Sequence, residues 1–214
     1  MAKTSQEYKD LSIKEFTKAA TVYDRSKLYG ICKRDYPDIL AEIEKEPFES
    51  LLDAGCGPAP MLCLLSEKYP DKHYTGLDLT PAMIEAAKSY QLPNTELIVG
   101  DCENLPFEAN TFDVVICSMS AHHYPNIQNF YNSVYKVLKP NGRFILRDMT
   151  TTNKALAWFA NNIEMPLANM VGHGDVKMLD INEVKEGMEK AGLKVEISEC
   201  RKPLRLHVVA RKPQ

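Results

Sequence analysis

The chain has 214 residues, of which 44% are hydrophobic and 26% charged, a balance that fits one ordinary folded domain. Lys plus Arg number 26 against 29 for Asp plus Glu, a net charge of −3 that argues against a general nucleic-acid-binding surface. No apolar run approaches the roughly 18 residues of a membrane helix, and the polar opening MAKTSQEYKD lacks the apolar core of a secretion signal.

The six cysteines, at positions 32, 56, 63, 102, 117 and 200, include no C-x-x-C pair, and several sit in apolar stretches such as VVICSM. A free thiol there behaves as a small hydrophobe. The expectation is a reducing cytoplasm, with no disulfide framework and no metal site. Nothing in the sequence decides between a monomer and a homodimer.

In chain order, Ser5 to Ala20 places Tyr8, Leu11, Ile13, Phe16 and Ala19 close to helical spacing, and a second helical stretch runs from about Leu28 to Lys45, interrupted near Pro37. Residues 1–47 are expected to form a helical lid on a domain spanning 48–214. From Ser50 short apolar runs alternate with helices. Ser50–Ala54, His73–Asp78, Thr95–Val99, Phe112–Ser118 and Arg143–Asp148 read as strands, and Met61–Tyr69, Pro81–Tyr90 and Asn126–Leu138 as helices. Continuously apolar strands separated by helices indicate a parallel sheet covered on both faces. Residues 150–179 break this rhythm and read as an inserted segment over the site. Asp180-Ile-Asn-Glu183 reads as a capping box opening a helix that stops at Gly192. Leu193–Cys200 and Leu204–Arg211 then read as strands pairing antiparallel at the sheet edge.

Leu51-Leu52-Asp53-Ala54-Gly55-Cys56-Gly57-Pro58-Ala59-Pro60 follows the first strand and precedes a helix. Glycines there let the backbone approach a ligand without Cβ interference. A dinucleotide fingerprint, G-x-G-x-x-G, would want glycine where Pro60 stands, which disfavours an NAD-dependent oxidoreductase. Asp78 ends the second strand 23 residues after Gly55 and is placed to accept hydrogen bonds from both hydroxyls of a ribose. Loop and acid together point to a nucleoside-containing cofactor.

The sequence resembles a known family at these points. Asp53-Ala54-Gly55-Cys56-Gly57 is similar to the first motif of class I S-adenosylmethionine-dependent methyltransferases. Gly76-Leu77-Asp78-Leu79-Thr80-Pro81-Ala82-Met83 resembles the family's second segment, Gly100-Asp101-Cys102-Glu103-Asn104-Leu105-Pro106-Phe107 its adenine segment, and Val137-Leu138-Lys139-Pro140-Asn141-Gly142-Arg143 the turn into its fifth strand. The resemblance covers about residues 48–150 and is nearest to the small-molecule branch that includes ubiquinone and menaquinone C-methyltransferases. It implies an α/β, Rossmann-like, doubly wound and mostly parallel seven-stranded sheet with an antiparallel C-terminal strand. It also implies S-adenosylmethionine as cofactor and S-adenosylhomocysteine as product. In it Gly55 and Gly57 pass under the methionine portion, with Cys56 between them. Asp53 acts near the amino group, Asp78 holds the ribose, and Leu79 and Met83 pack on the adenine. Asp101 accepts from the adenine amino group beside the Cys102 backbone, and Ser118 lines the methionine end. Pro58 and Pro60 depart from the pattern and put the third glycine's packing role in question.

The acceptor is expected to be a small molecule. The family members that methylate base amines or glutamine amides carry Asn/Asp-Pro-Pro-aromatic after the fourth strand, where this chain reads Cys117-Ser118-Met119-Ser120-Ala121-His122-His123. A protein or tRNA methyltransferase, and a cofactor-binding protein without turnover, are the alternatives. His122 and His123 are candidate general bases at the sheet's carboxyl edge, with a near-neutral reference pKa. Tyr23, Tyr29 and Trp158 are candidates for an aromatic wall around the substrate, and His173, between two glycines, for a substrate contact.

Overall fold

The computed structural model describes residues 3–23, 27–201 and 204–214, without the side chains of residues 27–29. Seven strands form one sheet: β1 (Ser50–Ala54), β2 (His73–Asp78), β3 (Thr95–Val99), β4 (Phe112–Ser118), β5 (Leu138–Met149), β6 (Lys194–Arg201) and β7 (Arg205–Arg211). Their order is β3-β2-β1-β4-β5-β7-β6. Only β7 runs against the others, pairing antiparallel with both β5 and the edge strand β6. Neighbouring residues on one strand feed opposite cores, as the two-residue repeat of a strand requires. Leu52, Val115, Cys117, Phe144 and Leu146 face one cluster; Leu51, Val114, Ile116 and Ile145 face the other.

Helices α1 (Ser5–Ala19), α2 (Lys27–Cys32), α3 (Tyr36–Ile43), α4 (Pro60–Lys68), α5 (Pro81–Lys88), α6 (Ile127–Val137), α7 (Lys154–Phe159), α8 (Met165–Met170) and α9 (Ile181–Lys190) complete the described residues. α3, α4 and α5 supply Ile39, Ile43, Leu62, Leu65, Ile84 and Ala87 to the second cluster, whereas α6 and α9 supply Phe130, Tyr131, Val134, Val184 and Met188 to the first. No described helix is long and apolar enough to cross a membrane.

One expected break is present, and the departures from the sequence reading have physical causes. A 3-10 turn at Lys33–Asp35 separates α2 from α3, so the expected interruption is present, and Pro37 lies just after it. That proline occupies the first turn of α3, where its missing N–H is an orphan in any case. β5 starts at Leu138 rather than Arg143, because Leu138 already pairs with Phe112 and the Lys139–Gly142 segment bulges out before Arg143 pairs with Val114. The inserted stretch 150–179 contains two short helices. Asn153 caps α7 by accepting from the Ala155 and Leu156 amides, and a π-helical turn at Ala160–Glu164 joins it to α8. The wide turn sits just before Pro166, whose ring would clash with a carbonyl of a regular α-turn. Asp180 does cap α9, accepting from the Asn182 and Glu183 amides, but the Glu183 carboxylate pairs with Lys177 instead of closing the box. A full capping box forms at the opposite end of the chain, between Thr4 and Glu7 at the start of α1.

Within residues 1–47 two roles separate. α3 belongs to the core. The Arg143 guanidinium caps its C-terminal end by donating to the Glu42, Ile43 and Glu46 carbonyls. Asp35, just before α3, is fully buried and receives Arg147 from β5 at 2.8 Å, with Arg205 of β7 at 3.5 Å. Burial raises the Asp35 carboxyl pKa, against the pull of the two arginines. Asp35→Ala leaves a buried guanidinium short of its partner. Since Asp38 still reaches Arg147 at 2.8 Å, the loss of stability should fall near the lower end for a broken buried pair, about 3 kcal/mol. Urea unfolding of the variant checks this.

Candidate functional site

The site grows from the turn after β1. Gly55 adopts φ 80° and its amide donates to the Leu77 carbonyl at 2.8 Å. A Cβ there would lie 2.1 Å from Ser120 Oγ and 2.6 Å from Tyr124 Oη, so only glycine lets the chain pass. Gly57 adopts φ 55° and its amide donates to Asp78 Oδ2 at 2.9 Å. Ala59 follows at φ 59°, and Pro60 opens α4. The third-glycine position is thus the first residue of a helix, a place that suits proline.

Two adjoining cavities, with empty volumes of about 550 and 450 Å³, open at this edge. They share Phe16, Gly55, Asp78, Ser120 and His123. The edge lies where β1 neighbours both β2 and β4 and the strand order reverses, the usual crevice of a doubly wound sheet. The structure brings Asp53, Gly55, Cys56, Gly57, Asp78, Met83 and Ser118 to the lining of the first cavity, and Leu79, Asp101 and Cys102 to the second.

Asp78 accepts from the Gly57 amide on one oxygen and from the Thr80 amide, at 2.8 Å, on the other. Each oxygen keeps a second lone pair for a ligand. Burial raises its pKa even so. Asp53 is 3% exposed, and burial followed by the Asp78 charge pushes its carboxyl up to about 7. Ser118 Oγ is buried with no hydrogen-bond partner. A buried hydroxyl, a high-pKa carboxyl and a glycine cradle at one crevice are what the methionine end and ribose of S-adenosylmethionine need, so the residues fit that group. Asp101 accepts from the Glu103 amide at 2.9 Å and pairs with Lys9 of α1 at 2.7 Å.

The sequence pattern of α1 gave no hint that Lys9, Ser12 and Phe16 line the second cavity. The helix lies across the crevice. Lys9 grips Asp101 and Glu103, Glu15 accepts the Gly174 amide at 3.0 Å, and Phe16 meets the edge of the His123 ring at 5.1 Å between centroids.

His122 and His123 have sharply different surroundings. Asp148 Oδ1 takes His122 Nδ1 at 2.6 Å, and the other Asp148 oxygen accepts the His122 amide. Burial disfavours the charged ring, but the Asp148 charge and hydrogen bond outweigh it and raise the His122 pKa. His123 is pushed down to about 4 by burial and by His122. His123 faces the cavities as a neutral and weakly basic ring. His122 lines a separate hollow with Tyr131 and Val184. Asp175, 52 residues along the chain from His123, joins the pair: its Oδ1 is 3.5 Å from His122 Nε2 and 3.7 Å from His123 Nδ1.

Of the aromatic candidates, Tyr23 lines the first cavity, with its hydroxyl 3.5 Å from Cys32 Sγ. The Tyr29 side chain lies outside the described residues. Trp158 is 61% exposed on α7 and lines neither cavity. His173 also stays out of the cavities, paired with Glu15 at 2.6 Å and half exposed.

Residues 52–146 match the Methyltransferase domain family. The phthiotriol/phenolphthiotriol dimycocerosates methyltransferase of Mycobacterium leprae is 40% identical over 116 residues, covering 52% of this chain and 43% of that protein. The biotin biosynthesis bifunctional protein BioHC of Saccharophagus degradans is 30% identical over 189 residues, covering 86% of this chain and 33% of that protein. The chain therefore spans less than half the length of either relative. Among solved structures, a chain of the complex between the Haloferax volcanii Trm112 methyltransferase activator and its candidate methyltransferase superposes with a TM-score of 0.75. It is 20% identical and covers 94% of this chain and 98% of that one. With the motif residues, these matches mark residues 52–146 as a methyltransferase domain of the class I S-adenosylmethionine-dependent type, and the superposition shows the fold.

Gly55→Ala forces both a left-handed φ and a clash with Ser120 and Tyr124. It should lower stability by roughly 1–3 kcal/mol, the range for a strained backbone position. An unchanged urea midpoint would refute the close approach.

Proposed function

We propose that the protein transfers the methyl group of S-adenosylmethionine to a small-molecule acceptor by in-line displacement. The observation that carries this reading is the convergence of Asp53, Gly55, Gly57, Asp78 and Ser118 on one cavity, with Asp101 and Cys102 on the next. When bound, S-adenosylmethionine supplies a methyl already activated on a sulfonium. The Asp78 carboxylate then receives the ribose hydroxyls, and Asp53 stands by the ammonium end. Leu79 and Met83 flank the adenine, with Asp101 taking its amino group. The Gly55 backbone and Ser118 bound the methionine end. α1 roofs the crevice through Phe16 and Lys9 and excludes water. With His123 a weak base, positioning and dehydration carry most of the rate.

A small acceptor is supported by the roof, which leaves a narrow crevice rather than an open surface, and by the net charge of −3. The Mycobacterium leprae relative is named for a lipid acceptor and BioHC for biotin biosynthesis. Both names favour a small molecule over nucleic acid.

Calorimetric titration with S-adenosylmethionine and its demethylated product, followed by a screen of acceptor classes with labelled methyl donor, tests the reading. Binding of NAD with no heat from either adenosyl ligand would overturn it. Asp78→Ala should weaken S-adenosylmethionine by roughly 1–3 kcal/mol while the fold survives, because hydrogen bonds to a charged acceptor disappear.

The raised Asp53 pKa sets a pH dependence. Its folded value of about 7 lies above the ordinary value of 3.8, so the folded protein holds a proton that the unfolded chain has released between these values. Stability of the ligand-free protein should accordingly fall as pH rises across that window. Affinity for the cationic ligand should move the opposite way, rising as pH passes about 7 and Asp53 ionises. Asp53→Asn should flatten both trends; melting curves and titrations at several pH values check the pair.

A further inference from the structure

We propose that His122 Nε2, His123 Nδ1 and Asp175 Oδ1 form a binding site for one divalent first-row transition metal ion, with Zn²⁺ the best match to the donors. These three atoms lie within 4.8 Å of one another. The carboxylate oxygen is 3.5 Å from the first nitrogen and 3.7 Å from the second. A tetrahedral ion with bonds near 2.0–2.1 Å holds neighbouring ligand atoms about 3.4 Å apart. The two edges that meet at Asp175 are therefore already close to those of an occupied site, and the third lies within 4.8 Å.

The surroundings are built for ligation rather than for a hydrogen-bonded histidine pair. His123 Nδ1 is buried and faces the Gly174 backbone and the Asp175 carboxylate, without a well-aligned hydrogen bond to either. The His122 ring is turned by Asp148, whose Oδ1 takes Nδ1 at 2.6 Å, while both carboxylate oxygens accept backbone amides, of His122 and of Met149. A carboxylate on Nδ1 holds a proton there and leaves Nε2, 3.5 Å from Asp175 Oδ1, as the atom that would ligate once the metal displaces its proton. This is the usual support of a metal-bound imidazole. Asp175 is held in place by the backbone: the Val176 and Lys177 amides donate to the His122 carbonyl at 2.9 and 3.3 Å, and Asn169 donates to the Asp175 carbonyl at 2.7 Å. The strand-end turn and the segment after α8 are thus locked together around the three donor atoms.

Two imidazoles and one carboxylate suit Zn²⁺, Fe²⁺, Mn²⁺ or Co²⁺ and leave a coordination position open for water or a ligand oxygen. Because His123 also lines both cavities, the ion would stand beside the crevice. An acceptor hydroxyl bound there would be acidified without a protein base. That role rests on the methyl-transfer reading, whereas the metal site itself does not.

The test uses the full chain, stripped with a chelator and titrated with Co²⁺, then with Zn²⁺ as competitor. The expected result is one saturable equivalent with the visible d–d bands of nitrogen and oxygen ligation. Asp175→Asn and His123→Ala should weaken binding at least roughly 10-fold, and Asp148→Asn by about 10–100-fold, the usual range for a residue that orients a ligand. Circular dichroism reports whether each variant is folded. Calorimetry with S-adenosylmethionine, run on the same samples without metal, reports the cofactor site separately. No saturable binding to the wild-type chain would overturn the proposal. So would thiolate-to-cobalt charge-transfer bands, which mark a cysteine site, or undiminished affinity in folded Asp175→Asn and His123→Ala.

Discussion

The Gly55 backbone runs so close to Ser120 and Tyr124 that there is no room for a Cβ between them. Those two side chains are themselves joined, Ser120 Oγ to Tyr124 Oη at 2.8 Å, and Tyr124 stacks edge-on against Phe130 of α6. The turn after β1 is thus pressed against the turn after β4, while the chain leaves the first turn for the face carrying α4 and the second for the face carrying α6. The crevice exists because neighbouring strands diverge at this point. The tight contact at its floor brings the ends of β1, β2 and β4 within reach of one ligand. Asp53, Asp78 and Ser118 have their environments because each sits at or beside one of those strand ends.

What the sequence made legible follows from how local each signal is. The five parallel strands β1–β5, the loop glycines and Asp78 are specified by residues adjacent in the chain, and strand alternation with a two-glycine turn has few readings. α7 and α8 were missed for a physical reason: Leu156, Trp158, Phe159, Leu167 and Met170 are exposed, so apolar spacing carries no information about which side faces the core. Pro166 reinforces the error by resembling a helix stop. A lid from residues 1–47 was expected, but not the contacts that hold it. α1 was readable as a helix, but its placement depends on Lys9 reaching Asp101, 92 residues away, and on Glu15 reaching Gly174. Asp148 looked like one more strand terminus, and Asp175 like one acid in a polar segment. Their grouping with the histidine pair is a tertiary fact with no short-range signature.

The electrostatics of the crevice tie these parts together. Asp53, Asp78 and Asp101 line it, and among the described lining residues Lys9 is the only lysine or arginine. Lys9 is committed to the outer end, where it neutralises Asp101 and the buried Glu103. Asp53 and Asp78 at the inner end face each other without a cation, and the resulting like-charge penalty adds to burial in raising Asp53 to about 7. A ligand bearing an ammonium and a sulfonium relieves that penalty at two points. The same ligand after loss of its methyl carries a neutral thioether and relieves it at one. On the proposed reading, like-charge carboxylates held in a low-dielectric floor would help to discriminate donor from spent donor by charge, in a direction that favours entry of the first and departure of the second.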